Sequence, residues 1–199
     1  MGIAASLPAR IVRATLTLTV CLGASVASFS GCGTDPIPQA IIDGLPGEDS
    51  GGPSATHRPG QPCLVCHSTY GEAQPPLVIG GTVFKENTMS GALEPAPGIK
   101  VIVYDSSGDS RVACSNAAGN FYIEKDNWED ITFPLKSFVG NAPRRMQSII
   151  GREGSCANCH KLPSADRPGT TLTGAGRDSP GVIIVEDGEE SPELCPGVP

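Results

Sequence analysis

Alternating apolar and polar residues mark the middle of this 199-residue chain as β structure. The segments 78–84, 99–104, 111–114 and 121–123 are rich in β-branched and aromatic residues, and turns with glycine or proline separate them. The run Val182–Val185 predicts one last strand that joins the same domain. Short strands at this spacing predict a β-sandwich. The fold class we expect is mainly β, a small Greek-key β-sandwich flanked by loop-rich segments.

Local signals add detail to this predicted domain. Gly80 and Gly81 lie within the first strand and predict a β-bulge, because a glycine inside a strand often marks one. Residues 144–150 have the pattern of one or two helical turns that end before a glycine. Trp128 and Phe133 are large aromatic residues, and we expect them to pack in the core or at its edge.

Two pentapeptides outside the predicted strands share one spacing of cysteine and histidine. They are Cys63-Leu64-Val65-Cys66-His67 and Cys156-Ala157-Asn158-Cys159-His160, and both read C-x-x-C-H. This is the attachment pattern of c-type haem, in which two thiols form thioethers to one porphyrin and the histidine binds the iron. The sequence therefore predicts two covalently bound haems. Their attachment residues are Cys63, Cys66, Cys156 and Cys159, and their first axial ligands are His67 and His160.

Other uses of the two cysteine pairs remain open. A zinc ion bound by all four cysteines is the main alternative, because paired C-x-x-C segments are typical of structural zinc sites. That alternative leaves unexplained the histidine that follows each pair. A thioredoxin-like redox pair needs a βαβ context that the sequence does not show, and disulfides are a further alternative.

The second axial ligand of each iron has few candidates, because the chain contains three histidines and three methionines. We predict His57 on one iron and Met146 on the other, and both lie close enough along the chain to reach a haem. Met89, in a polar turn, is a weaker candidate. A surface role for His57 and a core role for Met146 are the alternatives. Since a methionine ligand raises the reduction potential of a haem, the two haems are expected to differ.

The first 31 residues have the pattern of an export signal. Two arginines precede an apolar stretch, residues 14–27, which is too short and too rich in Ser and Thr to predict a transmembrane helix. The sequence Phe29-Ser30-Gly31-Cys32 then resembles a bacterial lipobox, with Phe29 in place of the usual leucine. The resemblance implies that Cys32 becomes the lipid-modified first residue of the mature chain. Ordinary cleavage nearby and a disulfide at Cys32 are the alternatives.

Cys114 and Cys195 remain once the signal, the lipid and the haems account for the other cysteines of the eight. Export places the chain in an oxidising compartment. We therefore predict a Cys114–Cys195 disulfide that pins the C-terminal tail to the sandwich, with two free thiols as the alternative.

The chain is acidic, with a formal net charge of −7. A nucleic-acid-binding domain needs a basic stripe, which the sequence lacks, so we expect no nucleic-acid partner. An acidic surface keeps an exported protein soluble or steers a basic redox partner towards it. The identity of that redox partner and the oligomeric state stay open.

The order of strands and turns between Val78 and Glu124 resembles the carboxypeptidase regulatory-like domains. The resemblance rests on the pattern G-x-V … P-x-P-G-I-x-V-x-V-Y-D … G-N-F-Y-I in this part of the chain. It implies a prealbumin-like sandwich. Domains of this kind carry no catalytic site, so the resemblance predicts no catalytic residue.

Taken together, these features predict an exported dihaem c-type cytochrome lipoprotein that transfers single electrons. A dihaem peroxidase-like enzyme is one alternative, and a surface binding module whose haems or metal are structural is another. We expect a periplasmic or cell-surface location, with a lipid anchor in the bacterial outer membrane. The predicted order is a signal peptide at 1–31, a flexible tether at 32–56, a first haem segment at 57–77, the sandwich at 78–140, a second haem segment at 141–179, and a C-terminal strand with an acidic tail at 180–199.

Overall fold

The computed structural model describes residues 36–45, 47, 52–141, 144–162 and 180–196. The chain divides into two compact units, residues 1–40 and residues 41–199. Within the first unit, residues 36–40 are described, and they begin helix α1 (Pro36–Asp43). The predicted signal peptide and Cys32 lie outside the described residues, so both stay predictions.

Strands dominate the described part of the second unit. The helical segments there are the short helix α2 (Cys63–Cys66) and two 3-10 turns at Lys125–Asn127 and Cys156–Asn158. The strands are β1 (Leu77–Glu86), β2 (Leu93–Pro95), β3 (Lys100–Tyr104), β4 (Ser110–Cys114), β5 (Asn120–Glu124), β6 (Lys136–Val139), β7 (Arg144–Arg145), β8 (Gly154–Ser155) and β9 (Ile183–Val185).

These strands form two sheets, and β1 organises the first of them. It pairs antiparallel with β5 and β2, and parallel with β8 and β9. The second sheet has the order β4-β3-β6-β7 and is antiparallel. The predicted fold class, mainly β with the two sheets of a sandwich, is confirmed. The Greek-key order stays a prediction.

Buried residues from both sheets build one core. Trp128 packs within it and Phe133 lies at its edge, as expected from the sequence. Complete burial of one large apolar side chain stabilises a fold by about 1.5–3 kcal/mol. The largest fully buried apolar side chains are Phe121, Ile79, Ile99, Leu135, Val83, Val101 and Val103.

The predicted bulge at Gly80 and Gly81 is wrong. The register of β1 against β5 shifts between Leu77 and Ile79, whereas both glycines pair regularly with β5. Glycine inside a strand also allows another chain segment to approach closely, and that is its role here.

The predicted helical turns at 144–150 are also wrong. Arg144 and Arg145 form β7, which pairs with β6, and Ile150 forms a bridge with Leu135. The edge of β6 offers backbone hydrogen-bond partners at this point. Pairing with that edge therefore overrides the local preference for a helix.

The predicted flexible tether at 32–56 is wrong for residues 36–43, which form α1. Pro36 and Pro38 both lie in the first turn of this helix. The backbone N–H groups of a first helical turn have no partner within the helix, so proline costs no hydrogen bond there. The prolines that indicated a loop are therefore compatible with a helix.

The chain after β9 returns to the second sheet. The Ser191 N–H donates to the Gly98 carbonyl at 2.9 Å. The sulfur atoms of Cys114 and Cys195 are joined at 2.11 Å, with Cα atoms 5.6 Å apart. The structure thus contains the disulfide expected from the sequence, and it ties the tail to β4.

Removal of this disulfide should destabilise the folded chain. Cys114 and Cys195 are 81 residues apart, and a cross-link that closes so long a loop restricts the unfolded chain. We expect the double variant Cys114→Ser/Cys195→Ser to lose about 2–4 kcal/mol in denaturant unfolding. Peptide mapping of the unreduced wild-type protein should recover the two cysteines in one linked pair. Recovery of both as free thiols would contradict the bond.

Candidate functional site

The first C-x-x-C-H motif packs on β1. Its residues Cys63–Cys66 form α2, in which Leu64 is buried. A Cβ at Gly80 would lie 3.0 Å from Cys63 Cβ and 3.3 Å from Cys63 Sγ. Both distances are shorter than an ordinary van der Waals contact, so a side chain at Gly80 would push α2 away from the strand. Gly80 therefore seats the first motif.

A buried polar pair ties the loop before α2 to the same sheet. Thr82 Oγ1 donates to Asn120 Oδ1 at 2.8 Å. The Gly60 N–H donates to Thr82 Oγ1 at 2.7 Å, and Asn120 Nδ2 donates to the His57 carbonyl at 2.9 Å. These bonds satisfy two buried side chains and fix the backbone that carries His57.

His67, the histidine of the first motif, keeps one ring nitrogen available. Its Nδ1 lies 2.8 Å from the Pro75 carbonyl. A carbonyl only accepts, so Nδ1 is the donor, and in the neutral imidazole Nε2 is then the nitrogen with the lone pair. The His67 carbonyl accepts from the Leu77 N–H at 2.8 Å, which fixes the backbone at the start of β1. Metal-binding histidines usually have this arrangement, with the second nitrogen bonded to a carbonyl or carboxylate.

His57 lies beside His67. The ring centroids are 5.8 Å apart and the rings are inclined by 30°. Nδ1 of His57 contacts both the carbonyl and the backbone N–H of Ser54, and these two contacts hold the ring at the end of the loop before α2. Metal–imidazole bonds of about 2 Å put the centroids of two rings on opposite sides of one metal ion about 6 Å apart. The structure therefore brings His57 to the first motif, at a separation close to that of an axial pair.

A cavity of about 570 Å³ adjoins these two rings. Its size lies within the range of about 300–1,000 Å³ that small-molecule and cofactor pockets occupy. The donor set of the first motif, two thiols and two imidazoles at the wall of one cavity, fits a c-type haem. The wall includes His57, Cys63, Cys66, His67, Leu77 and Tyr122.

The second motif follows β8 directly. Its first residues form the 3-10 turn Cys156–Asn158, and Cys156 packs against the core. A Cβ at Gly81 would lie 2.8 Å from Cys156 Cβ and 2.8 Å from Phe121 Cζ. His160 Nδ1 lies 2.8 Å from the Gly181 carbonyl, which leaves Nε2 with the lone pair. The two motif histidines thus share one hydrogen-bond arrangement, and the donor set of the second motif also fits a haem.

The two motifs approach β1 from opposite faces. Gly80 and Gly81 are consecutive, and consecutive residues of a strand point to opposite faces of the sheet. Gly81 faces the core, where it meets Phe121, and Gly80 faces outwards. Cys63 and Cys156 therefore reach the strand from different sides, although they are close enough for the Cys63 thiol to act electrostatically on Cys156. Within the described residues, which include all four motif cysteines, no group of three or more His, Cys, Asp or Glu side chains is arranged to hold a metal ion.

Burial makes two of the motif thiols hard to ionise. The pKa of Cys156 is raised to about 12, chiefly because burial disfavours the thiolate, with smaller contributions from Cys63 and Cys159. Burial also raises the pKa of the Cys63 thiol. Cys159 is exposed. The two thiols of the second motif therefore differ in accessibility, and the thiol of Cys156 is the one that burial makes hard to ionise.

Met146, the second predicted distal ligand, lies directly after β7. Its N–H donates to the Ser137 carbonyl of β6 at 3.0 Å, and its side chain is half-buried. Its assignment to the second iron stays a prediction. Met89 is 94% exposed in the turn after β1, so it is poorly placed for a buried ligand role.

Sequence reasoning missed most of the residues that seat the motifs. Gly80 and Gly81 gave a signal, but it indicated a bulge instead of a site of close approach. Thr82 and Asn120 gave none, because they are 38 residues apart and only the pairing of β1 with β5 brings them together. Ser155 also gave none, and its surroundings depend on the parallel pairing of β8 with β1.

Comparison of the chain with protein-family models, with curated proteins and with solved structures gives no match in any of the three. In the described part of the chain, no helix is long and apolar enough to cross a membrane.

The motif thiols should react at different rates in the folded, haem-free, full-length protein. We expect iodoacetamide at pH 7 to alkylate Cys159 at least about tenfold faster than Cys156, because the thiolate is the reactive form. The rate at Cys156 should climb as the pH rises towards its pKa of about 12. Denaturation in urea should bring the two rates together. Equal rates in the folded protein would show that the thiol of Cys156 is as accessible to the reagent as that of Cys159.

Proposed function

We propose that this protein is an exported dihaem c-type cytochrome that transfers single electrons. One observation carries the proposal. In both C-x-x-C-H motifs the histidine Nδ1 is 2.8 Å from a backbone carbonyl, Pro75 for His67 and Gly181 for His160, so both Nε2 atoms are available. A zinc site made of four thiolates gives no role to these histidines, whereas haem iron needs them.

The residues of the chain have separate tasks in this proposal. Cys63 and Cys66 hold one haem covalently, and Cys156 and Cys159 hold the other. His67 and His160 are the proximal ligands. When bound, the haem iron supplies one-electron chemistry between its ferric and ferrous states. The protein fixes the orientation of the axial imidazoles through the carbonyl contacts, which also strengthens each imidazole as a ligand.

The distal ligands are proposed to be unequal. His57, with its ring 5.8 Å from that of His67, is assigned to the first iron. The chain has three histidines, so the second iron has no remaining histidine of its own chain, and Met146 is assigned to it. The peroxidase-like alternative needs an iron with an open position, and ligand binding distinguishes it from an electron carrier.

Export and anchoring complete the proposal. The signal pattern of residues 1–31 supports export, and c-type haem is attached outside the cytoplasm in bacteria. Cys32 is proposed to carry the lipid that holds the protein at the outer membrane. The redox partner is proposed to be a protein with a basic surface, because this chain is acidic, with a net charge of −7.

Each C-x-x-C-H motif should attach one haem independently of the other motif. Expressed with the c-type maturation machinery, the wild-type protein should keep two haems per chain after denaturation. Each of two double variants should keep one haem, at the motif that remains intact. These variants are Cys63→Ala/Cys66→Ala and Cys156→Ala/Cys159→Ala. Loss of all haem on acid–organic extraction, or recovery of zinc alone, would refute the proposal.

The two distal ligands should have separable effects. We expect His57→Ala to alter the spectrum of the haem at His67 and to open it to cyanide. Met146→Ala should lower only the higher of two midpoint potentials, because a thioether stabilises Fe(II) more than imidazole does. Met89→Ala is the matched control and should change neither haem, since Met89 is exposed. Two identical bis-histidine spectra in the wild-type protein would rule out this assignment within one chain.

The anchor is tested by one substitution in the full-length precursor. Cys32→Ser removes the acceptor thiol, so the protein should leave the membrane fraction and lose labelling by radioactive palmitate. Cys21→Ser, within the signal, is the control and should leave membrane association unchanged. Membrane association that persists in Cys32→Ser would count against lipidation.

A further inference from the structure

One buried polar atom beside the first motif has no partner. Ser155 is 5% exposed, and its Oγ makes no hydrogen bond in the described part of the structure. A buried hydroxyl without a partner costs about 1–3 kcal/mol, so such groups in a folded protein usually have a reason. The buried Ser191 is satisfied, because its hydroxyl donates to Asn141 Oδ1 at 2.5 Å. Ser115 likewise donates to the Ala96 carbonyl at 2.6 Å.

The position of Ser155 in the sheet shows which surroundings its hydroxyl meets. Ser155 is the partner of Gly80 in the parallel pairing of β8 with β1. Partners in a ladder point to the same face of a sheet, and neighbouring strands are about 4.8 Å apart. On that face a Cβ at Gly80 would lie 3.3 Å from Cys63 Sγ. The helix α2 also lies beside β8. The unpaired hydroxyl therefore lies under the first motif.

The order of residues in the chain makes this placement informative. Ser155 directly precedes Cys156, so it belongs to the second motif segment. Cys156 points to the opposite face, against Gly81 and the core. Two consecutive residues therefore face different motifs: Ser155 lies on the side of the first motif, and Cys156 belongs to the second. A second contact joins the two motif segments, because Leu162 of the second segment packs against Gly60 of the first. A Cβ added at Gly60 would lie 2.6 Å from Leu162 Cδ1.

We infer that the two motifs form one composite site, in which Ser155 donates a hydrogen bond to the haem group attached at Cys63. This inference rests on the proposed function. Ser155 is then a positioning and tuning residue of the first haem, although it lies next to the attachment residues of the second. A donor placed beside an electron-rich thioether sulfur or ring edge favours the reduced iron, and hydrogen bonding around a haem is one of the ways a protein sets its potential.

The test separates the two haems first. In the variant Cys156→Ala/Cys159→Ala, which carries one haem at the first motif, Ser155→Ala is compared with Ser155→Thr, which keeps the hydroxyl. We expect Ser155→Ala to lower the midpoint potential and to shift the absorption bands of the single haem, and Ser155→Thr to restore both. Ser115→Ala is the matched control, since it removes a buried hydroxyl far from the motifs in sequence. It should lower thermal stability and leave the haem potential unchanged.

Three results would overturn the inference. The first is an unchanged spectrum and potential in Ser155→Ala, as expected if its hydroxyl serves only a buried water. The second is a shift in Ser155→Ala that Ser155→Thr does not restore. The third is an equal shift in Ser115→Ala, which would indicate a general loosening of the fold. Failure of the proposed function is distinguishable from all three, because in that case the parent protein holds no covalent haem.

Discussion

The whole site depends on the absence of side chains at two consecutive positions of the central strand. Gly80 leaves room for Cys63 on the outer face of β1, and Gly81 leaves room for Cys156 and the ring of Phe121 on the core face. A Cβ at Gly80 would lie 3.0 Å from Cys63 Cβ, and one at Gly81 would lie 2.8 Å from Cys156 Cβ. Overpacking of this kind typically costs about 1–3 kcal/mol of stability. One strand thereby holds two C-x-x-C-H motifs that are 93 residues apart in the sequence, from Cys63 to Cys156.

The rest of the fold supports that strand. β5 and β2 pair with β1 antiparallel, while β8 and β9 pair with it parallel and carry the segments on either side of the second motif. Pro75 and Gly181, whose carbonyls orient the two motif histidines, precede β1 and β9 respectively. The sandwich is therefore more than a spacer between two cysteine motifs. Its central sheet fixes both imidazoles, and the proposed role of the two histidines as axial ligands requires such fixed orientation.

Sequence patterns predicted the fold class and the residues with distinctive chemistry. Alternating apolar segments located five of the strands, and the leftover cysteines indicated the Cys114–Cys195 bond that the structure contains. The errors have physical causes. Arg144 and Arg145 form a strand because they pair with the edge of β6. Pro36 is compatible with a helix because the backbone N–H groups of a first helical turn have no partner within the helix. The contacts around Thr82, Asn120 and Ser155 join residues far apart in the chain, and no local pattern reports them.

The central claim is that each motif carries one covalent haem. Intact-mass measurement together with an optical spectrum of the mature protein, purified from its native cell envelope, tests it most directly. The account predicts the mass of the processed chain plus two haem groups and the absorption bands of c-type haem in the reduced protein. A mass without haem, with or without bound zinc, and no haem absorption would contradict it.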